Sequence, residues 1–186
     1  LIPTLYGGFM TNAGSNWRIV VTRPGGGPID NLAEALLQKN KEYQQLGTED
    51  RLIKKTITGT VLRSSSLGLI EAVKQLKSSD SENFLILVDQ FEELFRYKKI
   101  EAVNSESDES SAFVNLLLEA INQYTEPIYV ALTMRSDFIG ECAQFPNLTQ
   151  MINDSHYLIP QMTRDQKRLA IEGPVAVGGG TITGRL

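Results

Sequence analysis

The sequence predicts an α/β domain built on a parallel sheet, and three observations carry that expectation. Phe84 to Val88 is an apolar run without alternation, the pattern of a central strand covered on both faces. Ile128 to Met134 is a second buried-type run. Around both, apolar residues recur at helical spacing, so strands and helices alternate along the chain. At 186 residues with 41% hydrophobic content, the chain is long enough for one core.

The elements follow in order. Leu1 to Leu5, with Pro3 and the Gly7-Gly8 break after it, reads as the tail of a helix whose beginning is missing. Trp17 to Thr22 has the aromatic and β-branched character of a short strand, ended by Arg23-Pro24-Gly25-Gly26-Gly27-Pro28. From Ile29, with Asp30 as N-cap, Leu32, Ala33, Leu36 and Leu37 predict a helix to about Tyr43. Glu49 to Leu62 predicts another. Ser64 to Ser66 reads as the cap of a helix over Leu67 to Leu76, whose stripe is Leu69, Val73 and Leu76. Ser78 to Ser81 is a loop before the Asn83 to Asp89 strand. Lys98 to Ser111, acidic and serine-rich, predicts a surface loop, and Phe113 to Tyr124 an amphipathic helix. After the strand at Ile128, short helices are expected over Phe138 to Cys142 and Leu148 to Ile152, then a short strand over Tyr157 to Ile159. A last helix, Arg164 to Ile171, should stop before Gly173-Pro174.

Composition narrows the function classes. A formal charge of −4 supplies no field to draw nucleic acid or an anionic membrane. One cysteine, Cys142, and one histidine, His156, give neither an internal disulfide nor zinc spacing. A reduced, cytosolic chain is expected. Apolar runs are too short for a membrane span.

In open parallel sheets the ligand crevice lies at the carboxyl ends of the strands, so the polar residues there matter most. The first buried strand runs into Asp89-Gln90-Phe91-Glu92-Glu93. A carboxylate at such a tip can help hold Mg2+ on nucleotide phosphates, because a hard cation takes oxygen ligands and keeps several waters. Glu92 or Glu93 can orient and deprotonate an attacking water. The plainer reading makes Asp89 a helix cap, with the two glutamates in a first turn favoured by the macrodipole. The second strand ends in Thr133-Met134-Arg135-Ser136-Asp137, where Thr133 or Arg135 can sense a terminal phosphate. Its plainer reading is a surface pair, Arg135–Asp137 or Arg135–Glu92. Trp17 and Arg23, flanking the first strand, can help frame the nucleotide side of the domain, but a buried indole and an exposed arginine explain them more cheaply.

Taken together, the chain resembles the novel STAND NTPase family, signal-transduction ATPases with numerous domains. The resemblance rests on Leu-Ile-Pro-Thr-Leu at the start, Trp17 leading to Arg23-Pro24-Gly25 and Pro28, and Asp89-Gln90-Phe91-Glu92-Glu93-Leu94-Phe95. Leu132-Thr133-Met134-Arg135-Ser136-Asp137-Phe138 and Ala170-Ile171-Glu172-Gly173-Pro174 complete it, in the family's order. It implies a P-loop NTPase-like parallel sheet with flanking helices. Asp89 takes the Walker B role, holding Mg2+ through water, and Thr133 joins it on the nucleotide side. Glu92 and Glu93 form the acidic pair that assists hydrolysis, and Arg135 is the sensor. ATP and Mg2+ are the implied cofactors. Self-association or partner proteins, engaged through effector and repeat domains, are the implied partners.

The family's Gly-x-x-x-x-Gly-Lys-Ser/Thr loop occurs nowhere in the 186 residues. The expectation is therefore a domain truncated at both ends, lacking its first strand and P-loop. Residues 1–160 would be a partial NTPase core and 161–186 the start of a following helical region. As it stands, such a chain would be inactive as an ATPase. A nucleotide-free interaction scaffold on the same fold is the alternative.

Overall fold

The computed structural model describes residues 2–96 and 109–182. They form two compact units, Leu1–Asp154 and Ser155–Leu186. In the first, three parallel strands, β1 (Trp17–Thr22), β2 (Asn83–Val88) and β3 (Ile128–Leu132), lie side by side in chain order. The connections are helical: α1 (Ile2–Tyr6) precedes β1. Four helices, α2 (Pro28–Gln38), α3 (Lys41–Gln45), α4 (Thr48–Ser64) and α5 (Gly68–Leu76), lead to β2. Then α6 (Glu109–Asn122) leads to β3. A 3-10 helix (Ser136–Gln144) and α7 (Pro146–Ser155) follow. The second unit carries α8 (Arg164–Val177).

Strand pleating divides the sheet into two unequal faces. Val20, Phe84, Ile86, Val88 and Ile128 point into the main core with Leu32 and Leu36 of α2, Leu69 and Val73 of α5, and Phe113 and Leu117 of α6. The opposite face carries a small cluster, Leu5, Trp17, Ile19 and Leu85. Trp17 is fixed there by its indole N–H, which donates to the Gly14 carbonyl at 2.9 Å, and by Tyr129, whose ring centroid lies 5.1 Å away. Toward the carboxyl ends this face is thinly covered: Val21 is exposed and Leu87 only half-buried. β2 is otherwise buried, as its unbroken apolar run predicts.

Several elements depart from the sequence expectation. Helix α2 starts at Pro28, with Gly27 as N-cap, because proline's fixed φ suits the first helical position. Asp30 therefore lies in the first turn and is no cap; its Oδ1 accepts from Arg63 Nη1 at 2.8 Å. That guanidinium bond holds the Asp30 carboxyl below the ordinary aspartate range. The helix expected to reach Tyr43 breaks after Gln38, because the Asn40 side chain accepts from the N–H groups of Glu42 and Tyr43 and starts α3. Ser64 to Ser66 do not cap α5: its N-cap is Leu67, and Ser65 Oγ accepts from the Leu67 N–H, forming the turn. A Cβ on Gly68 would stand 2.4 Å from the Val61 carbonyl oxygen, so only glycine permits this tight entry.

Tyr157 to Ile159 form no strand; they are irregular and exposed, and a three-residue stretch without a paired neighbour has no ladder to hold it. Helix α8 runs through Gly173-Pro174 to Val177. Part of the clash that normally bars helix before proline is with the preceding residue's Cβ, which Gly173 lacks. The expected acidic loop falls mostly on residues 97–108, outside the described residues, while Glu109 to Ser111 open α6.

Candidate functional site

Register builds the site. Thr22 pairs with Val88 and Val88 with Leu132, so the residues following each strand, Arg23, Asp89 and Thr133, come side by side at the carboxyl edge. The ladder continues one step beyond the strands: the Asp89 N–H donates to the Thr22 carbonyl at 2.8 Å, and the Thr133 N–H to the Val88 carbonyl at 2.9 Å. Side chains then close across it. Thr133 Oγ1 donates to Asp89 Oδ1 at 2.8 Å, and Arg23 donates to Asp89 Oδ2 from Nε at 3.0 Å and Nη2 at 2.8 Å. The Thr133 hydroxyl, and after it the Arg23 guanidinium, hold the Asp89 carboxyl below the ordinary aspartate range.

The turn after β2 is fixed from the same side. Gln90 has φ 58°, the left-handed region that a residue with a side chain enters at a cost of about 1–2 kcal/mol. Its N–H donates to Thr133 Oγ1 at 3.1 Å, and the Phe91 N–H donates to the Thr133 carbonyl at 2.9 Å. Thr133 thus orients both the carboxylate and the backbone behind it. Phe91, Leu94 and Phe95 anchor the segment in the main core.

The Arg23-Pro24-Gly25 turn is anchored from two elements. Asn31 Nδ2 of α2 donates to the Arg23 carbonyl at 3.2 Å and the Pro24 carbonyl at 2.9 Å. The Gly25 N–H donates to Glu93 Oε2 at 3.1 Å. Gly25 has φ 54°, and a Cβ there would meet Asn31 Nδ2 at 2.9 Å.

The two glutamates, inseparable in the sequence, separate here. Glu93 joins the Gly25 turn, whereas Glu92 is buried, 7% exposed, and its Oε2 has no hydrogen-bond partner among the described residues. Thr22 Oγ1, at the end of β1, is likewise buried and unpartnered. Such atoms call for a partner, because an unpaired buried polar atom is costly. Arg135 is bonded to Asp137, from Nε to Oδ1 at 3.1 Å and Nη2 to Oδ2 at 2.8 Å, and to neither Glu92 nor Asp89. Both partners are well exposed. Cys142 is buried, and desolvation raises its thiol pKa, which suits packing rather than nucleophilic chemistry.

Of the residues singled out in the sequence, the structure brings Asp89 and Thr133 into contact; it adds Arg23, for which an exposed arginine is explanation enough in the sequence, and Asn31, which the sequence does not single out. The signal for Arg23 was its place immediately after a strand; Asn31 gave none. Two grooves lie elsewhere, about 390 Å³ beside Tyr43 and about 510 Å³ beside Tyr124, and neither includes a residue of this cluster.

The model of one protein family, Novel STAND NTPase 1, matches residues 1–186. The chain belongs to the Novel STAND NTPase 1 family. Comparisons with curated proteins and with solved structures return no match. The three-stranded parallel sheet with its flanking helices accords with the P-loop NTPase-like fold of such a domain. Membership of an NTPase family implies the use of nucleotide and metal in general. Among the described residues of this STAND NTPase domain, no helix is long and apolar enough to cross a membrane.

Proposed function

We propose that this STAND NTPase domain is the ATP-binding switch of a larger protein, with the nucleotide seated at the carboxyl edge of the sheet. The observation that carries the reading is the Arg23–Asp89–Thr133 cluster, formed by register at the edge where ligands of open α/β sheets bind. In this reading the phosphate-binding loop comes from residues preceding Leu1, since the 186 residues contain no Gly-x-x-x-x-Gly-Lys-Ser/Thr run.

The donor set suits Mg2+. Asp89 offers a carboxylate one-third exposed, with a hydroxyl beside it, and the described residues hold no cluster of three or more His, Cys, Asp or Glu. An all-protein cage is not what Mg2+ needs: one or two carboxylates, waters and substrate phosphates complete its octahedron. When bound, the ion supplies neutralisation of phosphate charge. Asp89, oriented by Thr133, would hold the ion through water. Glu93, on the Gly25 turn, is the better placed of the acidic pair to orient water; Glu92, beneath the surface, needs a partner for Oε2 before it can share that task. Arg135 reads the phosphate only after leaving Asp137. Slow hydrolysis then resets the switch, and self-association or partner proteins read its state.

The test is equilibrium ATP binding, with and without Mg2+, to a longer protein that includes the residues before Leu1. Mg2+-dependent binding should be lost in Asp89→Asn. ATP binding indifferent to Asp89, or none at all, discards the switch reading and favours a nucleotide-free scaffold.

A further inference from the structure

Arg23 is an anchored stalk with a loose head. Its carbonyl and that of Pro24 are held by Asn31, and the next N–H by Glu93, so the backbone is fixed. The Arg23 side chain is 59% exposed, and both hydrogen bonds of its guanidinium go to one oxygen, Asp89 Oδ2. Asp89 Oδ1 is meanwhile held by Thr133, whose hydroxyl is itself fixed by the Gln90 N–H. The carboxylate therefore stays oriented when Arg23 leaves, and the oxygen that becomes free is Oδ2. An exposed ion pair of this kind is weak, so release costs little.

Resting on the function proposed above, we infer that Arg23 is the resident counter-ion of Asp89 in the unloaded domain and exchanges it for a nucleotide phosphate on loading. Both Arg23 hydrogen bonds already fall on Oδ2, so a hydrated dication approaches that oxygen against the charge of the guanidinium, and the two compete for it. Displacement leaves Arg23 at the carboxyl edge, a planar donor fork suited to phosphate oxygens. Arg23 is then a positioning residue with two opposite effects: it competes with metal alone, and it assists metal together with nucleotide. Its turn also bonds Glu93, so movement of the guanidinium occurs next to the acidic pair.

The opposite signs make the test. Mn2+, standing in for Mg2+, is titrated by water-proton relaxation into the full-length protein, without nucleotide and then with ATP. Wild type is compared with Arg23→Gln, Arg23→Lys and Asp89→Asn. Arg23→Gln should bind free Mn2+ roughly fivefold more tightly than wild type and Mn2+–ATP roughly fivefold more weakly, the scale of an exposed pair gained or lost. Arg23→Lys, which keeps the charge, should fall between wild type and Arg23→Gln in both titrations, and adding Asp89→Asn to Arg23→Gln should abolish the gain. If Arg23→Gln leaves free Mn2+ affinity unchanged or lowers it, while Asp89→Asn still abolishes Mn2+–ATP binding, the exchange is overturned and the switch reading survives. If Asp89→Asn affects neither titration, both fall.

Discussion

The two ends of the sheet use the same chemistry, arginine or lysine on a carboxylate, to different effect. At the amino ends, Arg18 meets Glu82 with side-chain exposures of 12% and 11%, and Lys77 meets Glu126 with 12% and 13%. Arg18 also donates to the Leu76 carbonyl and Ser78 Oγ, both at 2.6 Å, and the Ser78 N–H donates to Glu82 Oε2 at 2.8 Å. Every arm of that pair is occupied. At the carboxyl ends, Arg23 and Asp89 are 59% and 33% exposed, Arg135 and Asp137 more so, and the guanidinium of Arg23 bonds one oxygen. A pair shielded from water and bonded on all sides ties strands together; a pair open to water and singly tied can be exchanged for a ligand.

The contrast can be broken most directly at Glu82. Glu82→Ala leaves a shielded guanidinium short of its charge partner, and should cost about 2–3 kcal/mol in urea denaturation. A loss comparable to that of an exposed pair would erase the distinction between the two ends. Gly25→Ala comes next: a side chain at positive φ, pressed against Asn31, should cost about 1–2 kcal/mol. This would show that the carboxyl edge is rigid in its backbone even where its ion pair is loose. Asp89→Asn should change stability by less than about 1 kcal/mol, since its ion pair is screened by solvent. A drop as large as that of Glu82→Ala would make Asp89 a structural residue.

The smallest effect sharpens the comparison through pH. Asp89 has a depressed folded-state pKa, so its contribution to stability is present above the unfolded value, about 3.9, and is lost as pH falls through the lower folded value. Thr133→Val should move the Asp89 carboxyl titration, followed by carbon NMR, upward toward the ordinary value. The move should exceed that of Arg23→Gln in high salt, where the guanidinium is screened. Equal shifts, or none, would mean that Thr133 does not orient the carboxylate.

Much of the fold was legible before the structure. β1 had its bounds read directly, because aromatic and β-branched residues end abruptly at Arg23-Pro24. β2 was plain because a run buried on both faces needs no alternation. The errors cluster at helix ends. Pro28, Asn40 and Gly173 each decided a boundary through one residue's backbone or cap chemistry, which a periodicity count averages away.

At the site, the sequence by itself determined which oxygens and cations stand at strand tips: Asp89 after β2, Thr133 and Arg135 after β3, and the Glu92-Glu93 pair beyond Asp89. Tertiary structure alone decided which of them meet. Parallel register brought Arg23, distant from Asp89 in the chain, onto its carboxylate, and turned Thr133 toward it. The turn geometry sent Glu92 under the surface and Glu93 to Gly25, though the two are neighbours in sequence. Local pattern fixes how a segment buries itself, since periodicity is a property of the segment. Pairing across strands depends on register, which is set by the whole sheet packing against its helices.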